Sequence, residues 1–262
     1  AEWAFTLPTP AGESPTFFVM RYDGVPYYYV HFHGVEFRSA SANVQVGFSR
    51  TWYVLHALGV RDVISGAAAG SLHRDYRPGD IAIIDDFIDL SHHRPRSILT
   101  EIWERPPYIG ATFAEPTCPE LRAILISLAN ERYRRGRVHE RAVLVEEEGH
   151  RFSTPAESRM MQRLGGDLVA HHQASEAIYA RELGIHYAAL NYITNIAEGL
   201  EPNTPWIAAE EVRAGGTVCV EIMLEAVARA ARRTSTCTAC PRSSDDPAGI
   251  APESVLMKPV YR

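Results

Sequence analysis

Strand-like and helix-like segments alternate along the middle of the 262-residue chain, and this alternation limits the possible folds more than any other feature. Residues 44–58 carry apolar side chains at helical spacing and precede Gly59, which suits a helix C-terminus. The stretches "GDIAIIDDFIDL", "RAVLVEEEG" and "IHYAALNYIT" are typical of strands, and "VRDVISGAAAGSL" of a short strand followed by a small-residue loop. The pattern predicts an α/β fold, in which helices flank a central mixed, largely parallel sheet as a three-layer sandwich.

Short-range signals add local structure to this prediction. Asp23-Gly24, between two apolar runs, predicts a β-hairpin. Pro119 predicts the first turn of a helix. Thr154, followed three residues later by Glu157, predicts a helix that begins with a capping box.

No internal repeat or linker divides the chain. We therefore expect a single domain over residues 1–262. Residues 233–262 are rich in Ser, Pro and Asp, and we expect them to form a loosely ordered C-terminal tail.

Composition and charge exclude several classes of protein. The formal net charge is -6 and the basic residues form no stripe, so nucleic acid is not an expected partner. No apolar run approaches the roughly 20 residues of a membrane helix, so no membrane partner is expected. The N-terminal residues lack the basic-then-apolar layout of a signal peptide, and we expect a cytoplasmic protein.

Cys237 and Cys240 form a Cys-x-x-Cys pair that admits a zinc or a redox interpretation. A structural zinc takes four ligands, and the sequence contains no second cysteine pair. Four unevenly placed cysteines imply no disulfide framework. We therefore expect a tail without a bound metal, and no metal site elsewhere.

Ligands of open α/β sheets bind beyond the carboxyl ends of the strands. Those ends are predicted at residues 67–72, 147–154, 170–173 and 194–198. They carry small residues, an aromatic ring, a hydroxyl, two imidazoles and an amide: Ala69, Gly70, Phe152, Ser153, His171, His172 and Asn195. Imidazole titrates near neutral pH and can activate water, so these ends are the candidate catalytic site.

Four phrases in these regions resemble the purine nucleoside phosphorylase superfamily, and most of all its trimeric methylthioadenosine phosphorylase branch. They are "LGVRDVISGAAAGSLHRDYRPGDIAIIDDFID", "TFAEPTCPELR", "GHRFSTPAESRMMQRLGGDLV" and "NYITN". The resemblance extends over roughly residues 6–240. It implies the nucleoside phosphorylase fold and an enzyme that breaks the N-glycosidic bond of a purine nucleoside with phosphate.

The resemblance also implies roles in the base site. Phe152 would stack on the purine, Ser153 would lie near its edge, and Ala69 and Gly70 would contact substrate. Asn195 stands where purine nucleoside phosphorylases have Asn and methylthioadenosine phosphorylases have Asp. An amide can donate to a 6-oxo group and accept from N7–H, which favours 6-oxopurines such as inosine or guanosine. The alternative is that Asn195 only ends a strand in a turn.

The phosphate site departs from the family pattern. We find no initial strand with the family's Gly-Gly-Ser/Thr-Gly turn. The Arg-His-Gly clamp is "FHG", which keeps His33 and Gly34 but has Phe32 in place of Arg. Arg38 and Arg50 are substitutes that the sequence does not place. Phosphate needs several donors at once, so its use as a co-substrate is in doubt.

Two further departures lie at the ribose end of the site. A loop hydroxyl of the family is Ala67, and its Met-Thr pair is His171-His172. We expect these imidazoles at the ribose and nucleophile end, where they would activate water for hydrolysis. The alternative is that one of them is a packed or solvated strand-end residue. The acidic residues 146–148 are expected at a surface or interface, or else to orient a ribose hydroxyl or a histidine.

Assembly is predicted from the resemblance alone. It implies a homotrimer or a hexamer made of two trimers, with Phe113 lent to the neighbouring subunit's site. No cofactor is expected apart from phosphate as a candidate co-substrate. The competing hypothesis is a repurposed relative that binds a purine or nucleoside without phosphorolysis, or performs a different reaction.

Overall fold

The computed structural model describes residues 1–31, 47–102, 110–149, 151–201, 206–234, 237 and 240. Its strands are β1 (Trp3–Phe5), β2 (Pro8–Thr9), β3 (Gly12–Glu13), β4 (Phe17–Tyr22), β5 (Val25–Val30), β6 (Asp62–Ser71), β7 (Ile81–Ile83), β8 (Asp86–Asp89), β9 (Val138–His139), β10 (Val143–Glu146), β11 (Leu168–Ala170) and β12 (His186–Ile196). Its helices are α1 (Gly47–Ala57), α2 (Leu99–Ile102), α3 (Pro119–Arg132), α4 (Pro155–Arg163), α5 (Gln173–Glu182) and α6 (Ala209–Arg232). No helix in these ranges is both long and apolar enough to cross a bilayer.

The central sheet has seven strands in the order β8-β10-β11-β6-β12-β7-β9. Four neighbouring pairs are parallel, and two, β11 with β6 and β12 with β7, are antiparallel. The predicted mixed, largely parallel sheet is therefore confirmed.

Successive residues of β12 pack on opposite faces of this sheet. Ala189 and Ile193 join a cluster that includes buried residues of α1 and α5. Leu190 and Tyr192 join a second cluster with buried residues of α3 and α6. This period of two buries both faces of the sheet under helices and produces the three predicted layers.

The hairpin and the capping box also lie where the sequence predicts them. β4 and β5 pair antiparallel around Asp23 and Gly24, whose φ angles of 47° and 77° suit a type I′ turn. The side chain of Thr154 accepts from the backbone N–H of Glu157, and the Glu157 side chain accepts from the Thr154 N–H. Both bonds satisfy donors that the first turn of α4 would otherwise leave unpaired.

One expectation needs correction. "AAAGS" is part of the ten-residue strand β6 and not a loop, because β12 pairs with it as far as Ser71.

Of the predicted C-terminal tail, the structure describes residues 233, 234, 237 and 240. Arg233 donates to the Asp62 carboxylate over 2.6 Å, and Cys237 and Cys240 pack against the second cluster. Residues 241–262 lie outside the described part of the chain.

One edge of β6 is largely open. β12 pairs with the full length of one edge, but on the other edge β11 pairs only with Gly70 and Ser71. Within the described residues, no strand pairs with positions 62–69 on that side. The edge therefore presents backbone donors and acceptors to the interior of the molecule.

Candidate active site

A cavity of about 1000 Å³ lies along this open edge and continues to the carboxyl ends of β6 and β12. Its wall beside the first half of β6 is mostly apolar and includes Tyr27, Trp52, Leu55, Met223 and Val227. Its wall at the strand ends is polar and includes Glu147, Ser153, His171, His172, Glu176 and Asn195. The second part is the candidate site, because it brings together groups from four strand ends.

Asn195 lies where the pairing of β12 with β6 shifts register, between Ile193 and Asn195. Its side-chain oxygen accepts from the Thr194 hydroxyl at 3.0 Å, and its nitrogen donates to the Ile196 carbonyl at 3.2 Å. A Cβ on Gly70 would lie 3.4 Å from that nitrogen, so glycine lets the strand approach the amide closely. The amide is 7% exposed and held in one orientation.

Phe152 and Ser153 come from the segment that leads into α4. The Phe152 ring is 57% exposed, and its centroid lies 5.0 Å from that of Trp206 and 6.3 Å from that of His171. The buried Ser153 hydroxyl donates to Glu147 over 2.7 Å. The rings of Phe152 and Trp206 thus provide an apolar surface next to the polar Ser153 and Glu147, an arrangement that suits a planar heterocycle.

His171 is held by the backbone of the same segment. Its Nδ1 lies 3.1 Å from the carbonyl oxygen of Glu147, and because a carbonyl only accepts, Nδ1 carries the proton. Burial lowers the pKa of His171, so the ring is neutral at pH 7 with its lone pair on Nε2. Gly149 permits this approach, since it has a φ of 68° and its Cβ would lie 3.2 Å from the imidazole.

His172 pairs with a buried carboxylate one helical turn further on. Its Nδ1 lies 3.1 Å from Glu176, whose other oxygen accepts from the Tyr187 hydroxyl at 2.6 Å. Burial alone would raise the pKa of Glu176, but the charge and hydrogen bond of His172 and the hydrogen bond of Tyr187 hold it below the usual value. An ionised Glu176 fixes the proton of His172 on Nδ1. Glu176 was not predicted from the sequence, although its i, i+4 spacing from His172 is typical of such a pair.

The acidic triplet at the end of β10 is not simply a surface feature. The Glu146 side chain is fully buried and lies 2.6 Å from the Arg94 guanidinium. Glu147 holds Ser153 and lines the cavity. Glu148 accepts from His93 and from the backbone of the loop around it; burial opposes these bonds, but together they lower its pKa to about 2.

Two predicted site residues, Arg50 and Phe113, lie away from the cavity, whereas Ala69 lines it. Arg50 points at the β2–β3 turn, where it donates to the Glu13 carbonyl at 3.3 Å, and it does not line the cavity. Phe113 also lies off the cavity, with its ring 5.6 Å from the centroid of Phe87. Among the described cavity residues, the only arginine or lysine is Arg61, before the amino end of β6. His33, Gly34 and Arg38 fall outside the described residues.

The fold and the cavity define an α/β protein with a candidate ligand site at the carboxyl ends of its central strands. A family model described as the phosphorylase superfamily matches residues 9–239, and the chain belongs to this family. The predicted resemblance is therefore confirmed.

Individual relatives agree with this assignment. The chain is 38% identical over 159 residues to the 6-oxopurine nucleoside phosphorylase of Pyrococcus furiosus. This alignment covers 60% of this chain and 59% of that protein. The chain is 41% identical over 151 residues to the S-methyl-5'-thioadenosine phosphorylase of Pyrococcus horikoshii, which covers 58% and 56%. The chain thus matches somewhat less than three fifths of the length of these curated relatives.

A solved structure shows the same architecture. The crystal structure of a methylthioadenosine phosphorylase from an antarctic soil metagenomic library superimposes with a TM-score of 0.81 at 28% identity. The superposition covers 91% of this chain and 83% of that one. This chain therefore shares its α/β sandwich fold with that methylthioadenosine phosphorylase.

Proposed function

We propose that the chain cleaves the N-glycosidic bond of a purine nucleoside, preferably a 6-oxopurine nucleoside, at the polar end of the cavity. The observation that carries the proposal is the buried, oriented amide of Asn195 beside Gly70, in one cavity with Phe152 and two imidazoles. The named activities of the Pyrococcus relatives support the same class of reaction.

The amide suits a purine that leaves as an anion. A carboxamide has two N–H donors and two oxygen lone pairs, and the bonds of Asn195 with Thr194 and Ile196 use one of each. One N–H and one lone pair remain for a 6-oxo group and for N7–H. A hydrogen bond that strengthens as charge develops on the base stabilises the transition state more than the bound substrate.

The two imidazoles support water as the nucleophile. His171 is neutral with its lone pair on Nε2, which is the state that a general base requires. In this hypothesis the water oxygen bonds to the anomeric carbon and its proton passes to Nε2. The electron pair of the broken C–N bond leaves with the purine as an anion. The anion then takes a proton at N7 from solvent, and the proton on Nε2 returns to solvent.

Phosphate remains the second candidate nucleophile. Both Pyrococcus relatives are named phosphorylases, and two predicted anion ligands, His33 and Arg38, lie outside the described residues. A non-catalytic purine-binding relative is the third candidate. Arg61 is the only described arginine or lysine that lines the cavity, and it lies far from the carboxyl ends of the strands. The described residues therefore place no such cation where phosphate would bind, which favours a relative that binds a purine without phosphorolysis.

One experiment separates these functions. The full chain is incubated with inosine, guanosine and methylthioadenosine, with and without phosphate, and free base is measured by chromatography. Free purine released in both conditions indicates a hydrolase, and free purine released only with phosphate indicates a phosphorylase. No release in either condition contradicts the enzymatic proposal. Asn195→Ala should lose activity, whereas His73→Gln, on a histidine that does not line the cavity, should keep it.

We also propose that the chain assembles as a homotrimer, or a hexamer of two trimers, and acts in the cytoplasm. The support is the resemblance to trimeric relatives, together with the position of Phe113. This ring lies off the cavity of its own chain, as a residue lent to a neighbour would.

A further inference from the structure

We propose that Cys118, His186, Cys237 and Cys240 bind a zinc ion that attaches the segment after α6 to the core. The four residues come from three distant parts of the sequence, and the fold brings them together. The requirement for four ligands is met without a second cysteine pair. The sequence-based expectation of no metal assumed that a second pair was needed.

The distances between the ligand atoms suit one tetrahedral ion. One side-chain nitrogen or sulfur from each residue lies within 4.8 Å of all the others, and Cys118 Sγ lies 3.7 Å from His186 Nδ1. Zn–S bonds of about 2.3 Å and Zn–N bonds of about 2.0–2.1 Å in a tetrahedron place two sulfurs about 3.8 Å apart, and a sulfur and a nitrogen about 3.6 Å apart. All four cysteines of the chain are free thiols, so no disulfide competes for these sulfurs.

The site is built into the core and not only into the C-terminal segment. Cys118 is the N-cap of α3, and its backbone N–H donates to the Tyr187 carbonyl at 2.7 Å, next to His186 at the start of β12. The amino end of a helix favours a thiolate, which is the form that binds metal. Cys118 is 1% exposed, and Cys237 and Cys240 pack against the same apolar cluster. Cys118 is therefore shielded from water, and the other three ligands are partly shielded.

The ligand set indicates a structural zinc. Three thiolates and one imidazole form a closed Cys₃His set, and a Cys-x-x-Cys pair is a usual spacing for two of the ligands. A redox role for Cys237 and Cys240 alone would not explain why Cys118 and His186 meet them. A closed set leaves no open position for substrate, so the ion would contribute stability and not chemistry.

The consequence for the fold lies at the end of α6. This helix carries cavity-lining side chains such as Met223, Val227 and Ala231, and the ligands Cys237 and Cys240 follow its last turn within a few residues. A metal that attaches these ligands to α3 and β12 fixes that end of α6. Loss of the metal should therefore loosen the apolar wall of the cavity.

The test measures zinc in the full chain, purified from zinc-supplemented cells and exchanged into metal-free buffer. We expect about one zinc per chain by mass spectrometry of the elements. Cys240→Ser and the double variant with Cys237→Ser should hold less than about a tenth of that amount. Cys219→Ser is the matched control, since Cys219 is buried in the same cluster but is not one of the four ligands, and it should retain its zinc.

A second measurement uses the unchanged chain, in case the variants do not fold. Zinc is removed with a chelator and replaced by cobalt(II), which should give the intense visible bands and thiolate charge-transfer bands of a tetrahedral site. The thermal midpoint should fall on chelation and recover with zinc. Absence of zinc and of the cobalt bands, an unchanged zinc content in Cys240→Ser, or a disulfide among these cysteines in freshly prepared chain would each overturn the proposal. None of these readouts depends on nucleoside cleavage.

Discussion

Replacing Asn195 by Asp exchanges a side-chain N–H donor for a carboxylate oxygen at the position where a 6-oxo group would be recognised. The change leaves the shape of the side chain almost unaltered, so its effect on substrate choice is chemical and not steric. We expect the kcat/KM for inosine to fall by about 10- to 100-fold. This is the decrease expected from the loss of one hydrogen bond to a group that becomes charged in the transition state. The ratio of activity on methylthioadenosine to activity on inosine should rise.

Asn130→Asp is the control for this substitution, because Asn130 lies on the exposed side of α3 and bonds Glu140 outside the cavity. It should leave the substrate ratio unchanged. If Asn195→Asp alters both substrates equally, Asn195 does not read the 6-position, and the alternative of a strand-end turn is favoured.

His171 makes a second residue-scale prediction, on stability against pH. Its pKa is lowered in the folded chain by burial, so the unfolded chain binds more protons below the ordinary pKa of about 6.5. The contribution of neutral His171 to the free energy of unfolding should therefore be fully present above about pH 6.5. It should decline as the pH falls from there towards the folded pKa. His171→Gln should remove this part of the decline, measured as the difference in urea midpoint between pH 7.5 and pH 5.5.

His73→Gln provides the comparison, because the His73 side chain is half-exposed and off the cavity. The pH dependence of that variant should match the unchanged chain. An identical decline in all three proteins would show that His171 does not titrate as its buried position implies.

The candidate site could be predicted from sequence only in part. Phe152, Ser153 and the two histidines follow strand ends in a recognisable order, and the structure places them around one cavity with Asn195. Their partners could not be foreseen in the same way. The i, i+4 spacing indicates a pair of His172 and Glu176, but no sequence signal shows that the Tyr187 hydroxyl donates to the same carboxylate.

At the scale of elements, α4 positions the aromatic side of the site through its N-terminus. Thr154→Ala removes the side-chain acceptor for the Glu157 N–H, and we expect a loss of about 1 kcal/mol in the free energy of unfolding. Urea denaturation measures this loss. Thr217→Ala is a matched control, since Thr217 is an exposed residue in the middle of α6 and its hydroxyl donates back to the Arg213 carbonyl. A Thr217→Ala loss as large as that of Thr154→Ala would contradict the capping argument.

The length and pairing of β6 could not be predicted from its own residues. Its pattern predicts a short strand and a loop, because small residues such as Ala67 and Gly70 have little strand preference of their own. β12 overrides that preference by pairing with every residue from Asp62 to Ala69. Which strand lies on the other side is likewise a property of the whole sheet, and the open edge could not be predicted from the residues of β6.

At the scale of the molecule, the buried pair of Arg94 and Glu146 connects a loop, β10 and α5. Arg94 also lies 4.7 Å from the ring centroid of Phe48, and Glu146 accepts from the Ser175 N–H at 2.8 Å. Glu146→Gln keeps the shape but removes the carboxylate charge that lies 2.6 Å from the buried Arg94 guanidinium. We expect a loss of about 3–5 kcal/mol in the free energy of unfolding, measured by urea denaturation.

Arg141→Met is the comparison for a surface pair, because Arg141 is mostly exposed in its ion pair with Asp85. It should change the urea midpoint little, since water and salt screen such pairs. Equal effects of the two substitutions would show that burial of the Arg94–Glu146 pair does not determine its contribution.

The proposed trimer leads to a test of shared sites. If Phe113 completes the site of a neighbouring subunit, Phe113→Ala and Asn195→Ala chains lack different halves of the same site. Each variant alone should lose most of its activity on inosine. Mixed trimers from co-expressed chains contain some sites with Asn195 from one chain and Phe113 from the other, so part of the activity should return. Because no site within a single chain of either variant is complete, recovery can come only from sites built by two subunits. Inactive mixtures that contain intact mixed trimers would show that Phe113 acts within its own chain.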